Sequence, residues 1–219
     1  MRRGAERGVS DPDINLAVTT GCVISAVRFG MARWEPDSRS RLETAAISLF
    51  SERGYDQTTV AEIAARAGVT ERTFYRYFKV KREVLFSGAP TLQELMVAAV
   101  ADARPDATPM DMVLAALDMA SELLQERSAH AAQRHAVIAS NPELYERELI
   151  KMATLSAALA DAMRARRVPD LAASLTAEAG VTIFRVGYER WLLDPETKDL
   201  RGVIRESLDA LRAVTAPST

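Results

Sequence analysis

Residues 59–78 read Thr59-Val-Ala-Glu-Ile-Ala-Ala-Arg-Ala-Gly-Val-Thr-Glu-Arg-Thr-Phe-Tyr-Arg-Tyr-Phe78. Thr59 is an N-cap residue, and Glu62 three positions later completes a capping box. Val60, Ile63, Ala64 and Ala67 recur at helical spacing and predict one buried stripe. Gly68 ends this helix, because a residue without a Cβ enters positive φ at no steric cost. Val69 plugs the turn and Thr70 caps a second helix. That helix places Phe74 and Phe78 four apart on its inner face. Its outer face presents Thr70, Arg72, Thr73, Tyr75, Arg76 and Tyr77. One helix braces while the other offers polar groups near its N-terminal end. A helix-turn-helix that enters the major groove of DNA divides its labour in this way.

Working outward, residues 38–53 predict a supporting helix. Ser40 and Glu43 offer a capping box, Leu42, Ala45, Ala46, Leu49 and Phe50 form its buried face, and Gly54 stops it. Lys81 to Ser87 begins a fourth helix, which Gly88-Ala89-Pro90 bends or breaks. Helices then follow over about 91–103, 109–126, 128–139, 142–167, 170–193 and 197–213. Asn141-Pro142 is a cap with proline at the first helical position. Neither a strand pattern nor an internal repeat is legible. The expectation is an all-α chain: a three-helix helix-turn-helix domain over 38–87, then a helical ligand-binding and dimerisation domain over 88–219. Residues 1–37 fit neither. Asp11 and Asp13 precede the apolar stretch 14–31 and argue against a signal peptide. Met31 reads as a natural start, so the extension is expected to be a disordered arm or an upstream start.

The segment from Arg41 to Phe86 resembles the DNA-binding domain of the TetR family of bacterial transcriptional regulators. The resemblance rests on Ala45-Ala46, Leu49-Phe50, Gly54-Tyr55, Thr58-Thr59-Val60, Ile63-Ala64, Ala67-Gly68-Val69, Thr73, Tyr75, Tyr77-Phe78, Lys81 and Leu85. It covers about a fifth of the chain. Arg72 to Phe78, with Val84-Leu85-Phe86, is similar to the subgroup that binds acyl-CoA-like ligands. The resemblance implies a cytoplasmic homodimer that binds palindromic double-stranded operator DNA, acts most often as a repressor, and responds to a small hydrophobic or acyl-type effector.

Composition narrows the alternatives. The chain has 219 residues, 48% of them hydrophobic, enough for a packed core. It has one cysteine, Cys22, and two histidines, His130 and His135, so a cysteine metal cluster is excluded and a zinc site is not expected. No membrane span is expected, since no run of eighteen apolar residues occurs, and no cofactor is expected. Gly-rich phosphate loops, Gly-x-Ser-x-Gly and His-Glu-x-x-His are all missing, so an enzyme is not expected. The net charge of −2 hides an asymmetry. Residues 38–87 hold nine Lys/Arg against six Asp/Glu, while 88–219 hold fourteen against nineteen. The positive part coincides with the helix-turn-helix, as an electrostatic footprint for DNA requires.

The candidate DNA-binding residues are Thr59, Thr70, Glu71, Arg72, Thr73, Tyr75, Tyr77 and Lys81. Arg72 is the candidate reader of guanine, because its fork of donors fits two acceptors on that base edge. Glu71 is placed to accept from cytosine or to favour the helix N-terminus. Tyr75, Tyr77 and Lys81 suit phosphate, and Thr59 suits capping and phosphate together.

Pocket candidates are Met96, Met119 and Met152, because methionine adapts to irregular apolar shapes, and His130 and Arg134, which suit an anionic group. The helix at 170–193 shows two apolar stripes and must be covered on both sides. With the terminal helix it predicts a four-helix dimer seam through Leu175, Thr182, Val186, Ile204 and Leu208. The alternative is a constitutive DNA-binding or architectural protein with a closed helical core and no effector.

Overall fold

A computed structural model describes residues 37–125, 128–194 and 199–216. The expectations for residues 1–36 lie outside the described residues. Every described element is helical. α1 spans Ser38–Arg53, α2 Val60–Arg66 and α3 Glu71–Tyr77, and a 3-10 turn covers Lys81–Leu85. α4 spans Ala89–Ala101, α5 Pro109–Gln125, α6 Ser128–Ala139, α7 Pro142–Ala165, α8 Asp170–Leu193 and α9 Leu200–Thr215.

The helix starts follow local chemistry. The capping box of α2 forms: Glu62 N–H donates to Thr59 Oγ1 at 3.2 Å, and Thr59 N–H donates to Glu62 Oε2 at 2.8 Å. Thr70 accepts from Thr73 N–H at 3.3 Å and starts α3. Thr108 and Asp111 make the same reciprocal pair ahead of α5. Asn141 caps α7 with Pro142 in its first turn, and Asp199 caps α9. Gly68 sits at φ +66°, where a side chain would be strained.

Two expectations are corrected. Ser40 and Glu43 do not form a capping box. Asp37 caps α1 by accepting from Ser40 N–H at 2.8 Å, and Glu43 instead accepts from Arg39 and from the Ser87 hydroxyl. Pro90 does not break a helix begun at Lys81. The 3-10 turn ends at Leu85 and Pro90 opens α4, where its missing N–H has no partner to lose.

Two apolar cores form. One joins α4, α5, α7, α8 and α9 around Met96, Val113, Leu117, Leu159, Met163 and Ile204. The other lies under the helix-turn-helix around Leu42, Phe50, Ile63, Phe74, Phe78 and Phe86. The second core also takes in Val137 and Ile138 of α6 and Leu144 of α7. Ala131, at the other end of α6, belongs to the first core. One helix therefore serves both cores.

Candidate nucleic-acid interface and the cavity behind it

α3 is held from behind and open in front. Phe74 and Phe78 are buried, with ring centroids 5.3 Å apart. Thr59, Thr70, Glu71, Arg72, Tyr75 and Tyr77 are exposed and Thr73 is half-buried. Thr70, Glu71, Arg72 and Thr73 share the first turn of α3 or its cap, and the two threonine hydroxyls lie 3.1 Å apart. Arg76 donates to the Tyr77 hydroxyl at 3.0 Å and stacks 4.8 Å from its ring centroid. Arg72 makes no hydrogen bond or ion pair with any described residue, so its fork of donors is free.

Lys81 is placed differently. Its ammonium donates to the carbonyl oxygens of Tyr55 at 2.7 Å and Thr58 at 2.9 Å, and sits 4.2 Å from the Tyr55 ring centroid. Burial pulls its pKa below that of an ordinary lysine. Two of its three protons hold the α1–α2 loop, leaving one uncommitted. Thr58 adds to that loop by donating to Gly54 O at 2.9 Å. The α1–α2 pair is clamped outside as well: Arg66 meets both carboxylate oxygens of Glu52, and Arg53 meets Glu62. The Arg66 hydrogen bonds, and then that of the Ser48 hydroxyl at 2.7 Å, hold the Glu52 carboxyl down at about 2.

A cavity of about 760 Å³ lies behind this unit, between α1 and the start of α4 on one side and α5 to α8 on the other. His130, Arg134 and Met152 line it. Met96 and Met119 do not: Met96 is fully buried in the first core and Met119 faces outward from α5. Helical spacing alone does not distinguish a methionine in the core from one on a cavity wall. Sequence reasoning missed Leu92, Leu124, Tyr145, Lys151, Phe184 and Tyr188, which also line it. Phe184 and Tyr188 stack with centroids 5.7 Å apart, and burial pushes the Tyr188 hydroxyl above its ordinary pKa.

α8 turns a second apolar face outward. Leu175 is 62% exposed and Val186 39%, with Leu171, Thr182 and Leu193 on the same side. Ile204 and Leu208 are a correction: they are 1% and 4% exposed and pack inside their own chain. Among the described residues no group of three or more His, Cys, Asp or Glu is placed to hold a metal ion. None of the described helices is long and apolar enough to cross a membrane.

Residues 43–87 match the family model described as bacterial regulatory proteins, tetR family. Residues 107–216 match the model of the MftR C-terminal domain. The HTH-type transcriptional regulator TcmR of Streptomyces glaucescens is 38% identical over 68 residues, which is 31% of this chain and 30% of TcmR. The chain thus spans under a third of that relative's length. The HTH-type transcriptional regulator TtgR of Pseudomonas putida is 27% identical over 186 residues, 79% of this chain and 89% of TtgR. The solved structure of the regulator FadR from Bacillus subtilis in complex with stearoyl-CoA has a TM-score of 0.56 at 23% identity. That match covers 78% of this chain and 96% of FadR, and at this identity it establishes a common fold.

Proposed function

Because the chain belongs to the tetR family of bacterial regulatory proteins and carries the MftR-type C-terminal domain, we propose that it is a cytoplasmic, homodimeric transcriptional regulator that binds a palindromic operator and is released by a small effector. The observation that carries this reading is the unpartnered guanidinium of Arg72 on the exposed side of a capped, braced helix. A free fork at this place suits the N7 and O6 acceptors of guanine in the major groove. Thr70, Glu71 and Thr73 flank it as further groove-facing groups. Thr59, Tyr75 and Tyr77 suit the phosphate backbone, and Lys81 keeps one proton for it.

Dimerisation supplies the second half-site. The exposed Leu175, Thr182 and Val186 face of α8 is the proposed seam, since a large unpaired apolar face marks an interaction surface. Two copies related by a two-fold axis would set their α3 helices about 34–36 Å apart, the spacing of successive major grooves. Effector binding favours a different spacing by shifting the population of dimer shapes. The sign proposed is repression.

The cavity supports an effector-responsive protein over a constitutive one. Its volume of about 760 Å³ falls within the range of roughly 300–1,000 Å³ for small-molecule sites. The apolar part of its lining suits a small hydrophobic or acyl-type effector, and the fold is that of a regulator solved with stearoyl-CoA. Selection of bound sequences from a random double-stranded DNA library tests the reading. An enriched palindrome whose affinity falls when acyl compounds are added supports it. Recovery of no common sequence would contradict operator binding, and an operator indifferent to every acyl and hydrophobic compound would favour the constitutive alternative.

A further inference from the structure

Phe86 is buried at the junction between the 3-10 turn and α4, and three cations crowd its ring. Arg134 Cζ lies 5.4 Å from the ring centroid, Lys151 Nζ 5.5 Å and Arg147 Cζ 5.7 Å. Each cation is attracted by the ring's quadrupole, yet the three repel one another. Their neutralisation is incomplete. Glu148 engages Arg134, accepting from its two terminal nitrogens at 3.3 and 3.1 Å. Among the described residues, neither Arg147 nor Lys151 has a carboxylate within ion-pair distance. The buried Nε of Arg147 has no hydrogen-bond partner. Burial, then the Arg147 charge, pulls the Lys151 ammonium below the ordinary lysine range, against the weaker pull of Glu148 and Glu83. Three cations thus share one paired carboxylate, and a buried donor left unpaired costs more than an ordinary hydrogen bond gains.

The cluster opens onto the cavity through Lys151 and Arg134, and Leu92, Leu124, Ile138 and Met152 provide apolar wall. The lining carboxylates are already engaged. Asp37 caps α1, Glu43 accepts from Arg39 and Ser87, Glu148 pairs with Arg134, and Glu189 meets Arg185 at 3.5 Å. Lys151 is the lining cation without such a partner among the described residues.

We infer that Lys151, backed by Arg147, is the anion-holding end of the cavity, and that its ligand is an amphipathic molecule with an apolar body and a carboxylate or phosphate head. This rests on the effector-responsive reading above and adds which group the effector must carry. A head at Lys151 lies against Phe86, whose ring belongs to the core beneath the helix-turn-helix. The anion therefore neutralises charge at the place where the two cores meet.

Calorimetric titration of the full chain with dodecanoate, dodecyl phosphate and neutral dodecanol tests the inference. At least one anionic probe should bind about tenfold or more tightly than dodecanol, and added salt should narrow that gap. Comparison of the two anions tells which head the site prefers. Lys151→Gln should abolish the preference and Lys151→Arg should restore it, with melting of each free variant reading its folding separately. Arg147→Gln should reduce the preference in the same direction. Equal binding of dodecanol, an anion preference that survives Lys151→Gln, or binding of none of the three overturns the site. Lys151-dependent anion binding that leaves operator affinity unchanged supports the site and contradicts the effector reading. Operator release by a neutral ligand indifferent to Lys151 does the reverse.

Discussion

Arg134 Nε donates to the carbonyl oxygen of Leu85 at 2.6 Å, across 49 positions of sequence. The same guanidinium pairs with Glu148 of α7 and lies over the Phe86 ring. One side chain on α6 thus ties α7 to the end of the helix-turn-helix unit. Its contacts are part-buried, at 23% and 25% side-chain exposure for the ion pair. Arg134→Gln should cost about 1–3 kcal/mol, the range for a charged hydrogen bond and the carboxylate it leaves behind. Urea denaturation reads this directly. A loss below about 0.5 kcal/mol, the usual scatter of surface substitutions, would show that the tie bears little load.

Gly180 lets α8 approach α5. A Cβ built there would sit 2.3 Å from Val113 Cγ1, and Val113 is fully buried. Gly180→Ala should destabilise by about 1–3 kcal/mol through overpacking. Val113→Ala in the same chain should recover part of that loss, giving a coupling of at least about 0.5 kcal/mol in a double-mutant cycle. Additive effects would place the strain elsewhere.

The two sides of the last helices should respond differently to a charge. Val186→Asp puts a carboxylate on the open face of α8, so it should give a folded monomer by light scattering with near-normal helicity. Leu208→Asp puts it inside the chain's own core, where an unpaired charge costs several kcal/mol, and should unfold the protein. A dimer that survives Val186→Asp would move the seam off this face.

These two substitutions also mark where sequence reading runs out. Period and caps are local, so Thr59, Glu62, Gly68, Thr70 and Pro142 foretold helix starts and stops correctly. Which of two apolar stripes the chain itself covers is a long-range matter. Val186 and Ile204 look equivalent by spacing, and only packing separates the open residue from the buried one. The cap of α1 was misread because Asp37 and Ser40 both satisfy the same local rule. The cavity was half legible: His130, Arg134 and Met152 line it, while Lys151 and Tyr188 carry no local signal that would have pointed there.

The α1–α2 clamp should outlast mild acid. The hydrogen bonds from Arg66 and then from the Ser48 hydroxyl hold the Glu52 carboxyl down from 4.5 to about 2. A depressed carboxylate pKa adds stability that is complete above about 4.5 and is lost as pH falls through about 2. Glu52 is exposed, so the effect is local and weakened by salt. A carbon-detected NMR titration should place its midpoint near 2 in the wild type and higher in Arg66→Gln, where the Ser48 hydroxyl and the Arg53 charge still favour the carboxylate. A wild-type midpoint near 4.5 would mean that the pair does not persist in solution.

Operator reading by Arg72 is the central claim, and one comparison tests it most directly. Wild type and Arg72→Ala are titrated by fluorescence anisotropy against the selected operator, its single-base variants and random DNA of equal length. Arg72→Ala should lose about 1–3 kcal/mol on the operator, with preference relaxed at one base pair per half-site and little change on random DNA. Equal losses on operator and random DNA, with the base preference intact, would contradict the assignment of Arg72 as a reader of sequence.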